Sequence, residues 1–192
     1  MILKKIIKLF RNFICCIGLI VIFPFLALAM LAVIFEDGLP IFFIQDRIGE
    51  RKINFKIIKI RTLKNNAPNL GTHELKESFV LNCGRWIRKL KLDEFPQLIN
   101  VLKGDLNLVG PRPGLVSQEE LFKERVSRNI YQVKPGITGL AQIFGYDMSE
   151  PSMLARIDEI YILNRSLKVD ILIIIGTFIS YPKKILKTML DI

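Results

Sequence analysis

Asp93 and Glu94 are adjacent carboxylates in the stretch Lys91 to Pro113, KLDEFPQLINVLKGDLNLVGPRP. Arg85, Arg88, Lys89 and Lys91 lie just upstream; Asp105 and a Pro111-Arg112-Pro113 corner follow. An acid pair among cations suits a phosphorylated substrate and a hard metal ion, since Mg2+ takes one or two carboxylates together with phosphate oxygens. Phosphoryl chemistry asks mainly for positioning and charge neutralisation. A plainer reading is also open. Asp is a favoured N-cap residue and Pro is tolerated in the first helical turn. The pair ahead of Pro96 could then simply open the helix that Leu98, Ile99, Val101 and Leu102 predict and Gly104 ends.

The rest of the chain must position these groups. Its 192 residues carry 28 Lys+Arg against 18 Asp+Glu, a net charge of +10, which fits one domain plus an appendage. Basic surfaces attract nucleic acid, anionic lipid or phosphorylated molecules. With 51% hydrophobic residues, one Trp and four Tyr, the chain is too apolar, and too poor in interleaved aromatic and basic residues, for a nucleic-acid module. Basic and apolar together point to a membrane surface. Cys15, Cys16 and Cys83 have no zinc spacing and no disulfide framework, which indicates a reducing compartment. The sole histidine, His73, lies between Thr72 and Glu74 and reads as a solvated loop residue, with nothing nearby to build a Ser-His or Cys-His arrangement.

Phe13 to Phe35 is an uncharged apolar run preceded by Lys4, Lys5, Lys8 and Arg11. At about 1.5 Å per residue it is long enough for the ~30 Å hydrocarbon layer. A cleaved signal would use Ala27-Leu28-Ala29, but the run continues beyond that site. A simple spanning helix would carry Pro24 at its middle, where a backbone hydrogen bond is lost. Cations flank both ends, with Arg47, Arg51, Lys52, Lys56, Lys59 and Arg61 on the far side, and the positive-inside bias then holds both ends in the cytoplasm. This favours a re-entrant helix-break-helix that turns at Pro24, each arm of about eleven residues reaching halfway through the bilayer. The turn at Glu36 to Pro40 sets the expected boundary: 1–37 the membrane element, 38–192 the globular body.

Beyond it, Ile41 to Ile44 and Ile53 to Arg61 read as short strands. Period-2 spacing puts Lys59 and Arg61 on one face, either as a phosphate clamp or as a solvated strand face. Asn65 to Lys76 reads as a loop, and Val80 to Leu92 as a helix carrying Arg85 and Arg88. Ser117 to Glu120 has the form of a capping box. Val133 to Gln142, VKPGITGLAQ, suits a tight loop that could bring backbone close to a ligand, although loops of this composition usually only turn. Ser152 to Leu163 reads as a helix, and Val169 to Tyr181 as an interfacial or buried one.

These motifs together resemble the small, monotopic bacterial polyprenyl-phosphate phosphoglycosyl transferases, the bacterial sugar transferases. The resemblance covers nearly the whole chain: the basic start and apolar hairpin with Pro24, FFIQDRIG at Phe42, FKIIKIRT at Phe55, GRWIRK at Gly84, LDEFPQL at Leu92, NVLKGD at Asn100, LVGPRP at Leu108 and KPGITGLAQ at Lys134. It implies an α+β, mostly helical fold, with a small cytosolic domain of short strands and interfacial amphipathic helices. It also implies an enzyme on the cytoplasmic face of the inner membrane. Such an enzyme passes a phosphosugar from a nucleotide sugar, by family habit a UDP-sugar, to undecaprenyl phosphate through an aspartyl-phosphosugar intermediate. Asp93 would then be the nucleophile and Glu94 a Mg2+ ligand, with Lys59, Arg61, Arg85, Arg88, Arg112 and Gln142 as substrate or phosphate contacts. The implied partners are the donor, the lipid acceptor and membrane lipid, with no nucleic acid; self-association stays open. The chain departs from the family at Phe23, where a Ser commonly precedes the proline, at Phe95 in place of Leu, and at Tyr146, where Arg commonly follows the glycine. The competing functions are a catalytically silent scaffold of the same fold, which would have no need of Asp93 and Glu94, and a basic lipid- or nucleic-acid-binding module.

Overall fold

The computed structural model describes residues 2–68 and 77–192, with backbone alone for 2–8. His73 and most of the loop expected at 65–76 fall outside them. The chain forms two compact units, Met1–Gln45 with Lys56–Gly104, and Asp46–Phe55 with Asp105–Ile192. The boundary expected between residues 37 and 38 falls inside the first unit.

The first unit is built on helix α1, Ile2–Asp37. The backbone stays helical through Pro24, where a break between two arms was expected. A proline removes one donor from the ladder and leaves the turns on either side bonded. From Leu9 to Asp37 the helix is long and apolar enough to cross a membrane. One stripe of α1 is buried: Leu26, Ala29 and Val33 at three- and four-residue spacings, and Cys15 about three turns earlier on the same face. The other face exposes Phe13, Ile20, Val21, Phe23, Phe25, Leu28, Leu31 and Phe35. No water-soluble helix gains from such a face; a lipid-facing one does.

Strands β1 (Phe42–Ile48) and β2 (Asn54–Ile60) pair as a two-stranded sheet whose tip belongs to the second unit. Helices α2 (Asn82–Lys89) and α3 (Gln97–Lys103) follow, separated by a 3-10 turn at Leu92–Glu94. Leu26, Ala29, Val33, Ile60, Leu81 and Ile87 form the core of this unit. Gly84 lets α2 lie against the end of β2, because a Cβ there would meet the Thr62 carbonyl oxygen at 2.4 Å. The Glu36 carboxylate takes the amides of Asn82 (2.7 Å) and Cys83 (2.8 Å), so the end of α1 supplies an anion to the positive start of α2.

In the second unit β3 (Asn107–Val109) runs parallel to β4 (Gly136–Thr138), with Asn107 opposite Gly136 and Val109 opposite Thr138. Around this pair lie α4 (Glu119–Ser127), α5 (Leu140–Phe144), α6 (Pro151–Leu163), α7 (Leu167–Gly176) and α8 (Tyr181–Leu190). The core holds Val109, Leu121, Leu140, Ile157, Tyr161, Ile173 and Leu186 among others. The expected capping box at Ser117 makes no side-chain cap; Gln118 is the N-cap, and its Oε1 accepts from the Leu115 amide at 2.9 Å. The run expected as one element over 169–181 divides into α7 and the start of α8.

Candidate active site

Asp93 and Glu94 do not cap α3. They occupy the 3-10 turn Leu92–Glu94, opened by Lys91 in the left-handed region (φ 56), while the N-cap of α3 is Pro96, with no side-chain cap bond. The competing helix-cap reading therefore loses its geometry. The left-handed residue swings the chain out of α2 and sets the acids on a tight corner, closed by the Phe95 amide on the Leu92 carbonyl at 3.3 Å. Gly104 ends α3 as expected, in the left-handed region at φ 93.

Lys59, on β2, brings its Nζ to 2.9 Å from Glu94 Oε1, with the two side chains 15% and 21% exposed. Arg88, on the last turn of α2, donates Nε to Thr62 Oγ1 at 2.8 Å. Burial lowers the affinity of its guanidinium for the proton, and the nearby Asp93 charge raises it again; an arginine remains cationic under both influences. Lys59 thus pairs with Glu94, while Arg88 is bonded to Thr62 with the Asp93 charge nearby. Arg85 sits exposed on α2.

Arg61 turns out to have a structural job. Arg61 directly follows the last residue of β2, Ile60, and its side chain is bonded within the unit. Arg61 is 5% exposed. Its Nε reaches Pro40 O (2.6 Å), Nη1 reaches the Asp37 carboxylate and Leu63 O, and Nη2 reaches Gly38 O (2.6 Å) and Asp37 O. A guanidinium has five N–H donors, and these contacts use all of them. Arg61 ties the end of α1 to the exit of β2 and leaves nothing for a phosphate.

Arg112 and Gln142 belong to the second unit. Every carbonyl of the Pro111-Arg112-Pro113 corner is held: Pro111 O by the Gly136 amide (2.9 Å), Arg112 O by Arg125 Nη1 (2.8 Å) and Pro113 O by Arg47 Nη1 (3.1 Å). Arg125 is itself buried at 2% and paired through Nη2 with Asp158 at 2.6 Å. Burial pushes the Asp158 carboxyl up and the guanidinium draws it down. A Cβ on Gly136 would fall 2.1 Å from Gly110 N, and one on Gly139 2.2 Å from Gly110 O. These glycines let backbone meet backbone, the plain turn-forming use of such a run. Gln142, on α5, donates Nε2 to Ile137 O at 3.1 Å and keeps a buried Oε1 with no partner.

Nothing in the sequence marked Asp37, Thr62, Asn100, Arg125 or Asp158 as supports, because each acts on a residue far along the chain. Thr62 and Asn100 lay inside quoted motifs. For a metal, no group of three or more His, Cys, Asp or Glu side chains converges among the described residues. The adjacent carboxylates of Asp93 and Glu94 fit a Mg2+ ion whose other ligands come from substrate phosphate and water, the usual arrangement for this cation.

The family model described as "Bacterial sugar transferase" matches residues 3–184. EpsL of Bacillus subtilis, an uncharacterized sugar transferase, is 39% identical over 91% of this chain and 84% of its own length. The chain belongs to the bacterial sugar transferase family. Two further members are similar to it. The UDP-glucose:undecaprenyl-phosphate glucose-1-phosphate transferase of Caulobacter vibrioides is 36% identical over 80% of this chain. The UDP-N-acetylgalactosamine-undecaprenyl-phosphate N-acetylgalactosaminephosphotransferase of Aeromonas hydrophila is 37% identical over 79%. The matched regions cover only 61% and 37% of those two proteins. Among sugar transferases, then, this one carries its acid pair on a 3-10 corner with Lys59 against it and Arg88 nearby.

Proposed function

We propose that the protein transfers a phosphosugar from a UDP-sugar to undecaprenyl phosphate, at the cytoplasmic face of the bacterial inner membrane, in surface glycan assembly. The observation that carries this is the acid pair itself, with Lys59 Nζ on Glu94 at 2.9 Å. The names of the Caulobacter and Aeromonas relatives support the UDP-sugar donor and the lipid acceptor.

In the first half-reaction an Asp93 carboxylate oxygen attacks the sugar-linked phosphorus. The bond to the bridging oxygen breaks, UMP leaves with that electron pair, and an aspartyl phosphosugar remains. In the second, a phosphate oxygen of undecaprenyl phosphate attacks the same phosphorus and returns Asp93 as carboxylate. No proton needs to move in either step, which matches a site built of charges without a histidine base. Lys59 and Arg88 offset the phosphate charge. Mg2+ held by Glu94 would add charge neutralisation.

Residues 1–37 are the membrane element of this reading, and 38–192 the catalytic part. We take α1 to dip and return by bending at Pro24, with the turns on either side still helical. Its flanks are cationic on both sides, and residues on both sides of Pro24 lie against the first unit: a Cβ on Gly18 would touch Leu98 at 3.6 Å, and Leu26 to Val33 join the core. A straight crossing would carry one arm away from that unit. Trp86, 66% exposed with Lys89 Nζ 5.4 Å from its ring centre, suits a headgroup-level position.

The test is to supply the detergent-extracted protein with a panel of UDP-sugars, Mg2+ and undecaprenyl phosphate, and to follow UMP release. Release with at least one donor, dependent on the lipid, is expected; none with any donor contradicts the reading.

A further inference from the structure

Asn100 is 1% exposed on α3, and its amide is turned onto β2. Nδ2 donates to the Lys56 carbonyl at 2.8 Å, and Oδ1 accepts from the Ile58 amide at 3.2 Å. Backbone groups two residues apart point to the same edge of a strand. The side chain therefore takes up one donor and one acceptor on the β2 edge, the pairing a neighbouring strand would make there. It is a one-residue substitute for a strand, reached from a helix.

What this joins is specific. Lys59 is the next residue after Ile58 on β2. Glu94 sits on the turn that runs through Phe95 and Pro96 into α3, with the Leu98 amide on Phe95 O and the Ile99 amide on Pro96 O, each at 3.0 Å. Asn100 is thus bonded to the strand that carries the lysine, from the helix that continues the acid turn. The 2.9 Å contact between Lys59 Nζ and Glu94 Oε1 spans the same two elements. A long lysine side chain alone sets no register between strand and helix, because its rotamers are many and its charge is non-directional. A planar amide with two bonds to rigid backbone does.

We infer that Asn100 is a positioning residue for the reaction, fixing the acid-pair turn against the Lys59 strand so that the ammonium stays on Glu94. The inference rests on the reading of Asp93, Glu94 and Lys59 as the reactive site. Removing the amide leaves a buried carbonyl and a buried N–H without partners and lets strand and turn slide. A displacement of about 1 Å at a phosphoryl-transfer site can cost on the order of 100-fold in rate.

The experiment is a double-mutant cycle on the full chain in detergent: Asn100→Ala, Lys59→Ala and both together, read as kcat and KM for the UDP-sugar found active above. We expect Asn100→Ala to lower kcat by about 10- to 100-fold with KM little changed. In the Lys59→Ala background the same substitution should lower it no further. Leu81→Ala, a core truncation in the same unit, serves as the control and should have the same effect in both backgrounds. Should Asn100→Ala fail to fold, Asn100→Asp, which keeps the acceptor for Ile58, carries the same cycle. Equal losses from the Asn100 substitution with and without Lys59 overturn the proposal, as does an unchanged kcat. The underlying reading fails by a different result, full turnover in Asp93→Asn.

Discussion

Lys59 and Glu94 meet at 2.9 Å, although 35 residues separate them in the chain. The contact puts a strand-borne cation on the acid pair before any substrate arrives. On the proposed reading, a carboxylate which would otherwise repel a diphosphate is already partly neutralised, and the lysine is preset for phosphate oxygens. Lys59→Ala should lower kcat/KM by roughly 100-fold, the scale of losing one preorganised charge at a reacting phosphoryl group. Steady-state UMP release checks this, and a loss below about threefold would remove Lys59 from the site.

Glu94→Gln keeps the shape of the side chain and removes its charge. If the carboxylate helps hold Mg2+, the Mg2+ concentration for half-maximal turnover should rise by about tenfold or more, since hard cations favour charged oxygen ligands. A Mg2+ titration of both proteins reads this directly. An unmoved midpoint would assign Glu94 to holding Lys59 alone.

Arg61 gives the opposite expectation. Its five internal bonds tie Asp37, Gly38, Pro40 and Leu63 together. Arg61→Lys cannot rebuild that fork and leaves buried acceptors unpaired, so it should cost about 2–4 kcal/mol of stability. Thermal unfolding should show the loss, while KM for the donor in the folded fraction stays within about twofold of the parent. A large KM change without loss of stability would return Arg61 to the phosphate contacts.

Two parts of this protein show why some of the architecture is readable in the chain and some is not. The positions of α2, α6 and the Gly104 stop follow from apolar spacing and one glycine, which are local signals. The 3-10 corner at Leu92–Glu94 has no periodic signature, so the acids looked like the cap of the next helix. Lys59 and Arg61 looked equivalent because strand alternation treats them alike. Their difference comes from Asp37, 24 residues away. The same holds for Arg125, an ordinary surface-helix residue by pattern, which is buried because Asp158 meets it across 33 residues. Motif resemblance reaches Asp93 and Glu94 because they lie in one local string; the residues packed and bonded around them are contacts between distant segments.

That buried pair carries a prediction of its own. Asp158→Asn or Arg125→Met leaves one charged group buried without its counterion, at a cost of about 3–5 kcal/mol. Replacing both with apolar residues should cost less than either alone. Because Arg125 also holds the Arg112 carbonyl, the double variant should recover stability without recovering activity. Denaturant melts beside UMP release separate the two effects, and full activity in the double variant would show the corner is held without Arg125.

Cys83 supplies a pH dependence. Burial, then the hydrogen bond and charge of Glu36, push its thiol up from 9.0 to about 11. The folded form therefore holds the proton more tightly than the unfolded chain. The stability tied to this group is complete below pH 9 and is lost as pH rises through about 11. In a Cys15→Ser, Cys16→Ser background, alkylation by iodoacetamide should be slow at pH 8 and rise with a midpoint near 11. Glu36→Gln should move that midpoint down. A midpoint at or below 9 in the parent would contradict the environment described for Cys83.

The central claim is that Asp93 forms a covalent bond to the phosphosugar. The direct measurement is to incubate the protein with an active UDP-sugar and Mg2+ in the absence of undecaprenyl phosphate, digest it, and weigh the peptides. An adduct of phosphosugar mass on the peptide containing Asp93, absent in Asp93→Asn and discharged on adding undecaprenyl phosphate, is the predicted result. Full turnover by Asp93→Asn with no adduct on any peptide would contradict it.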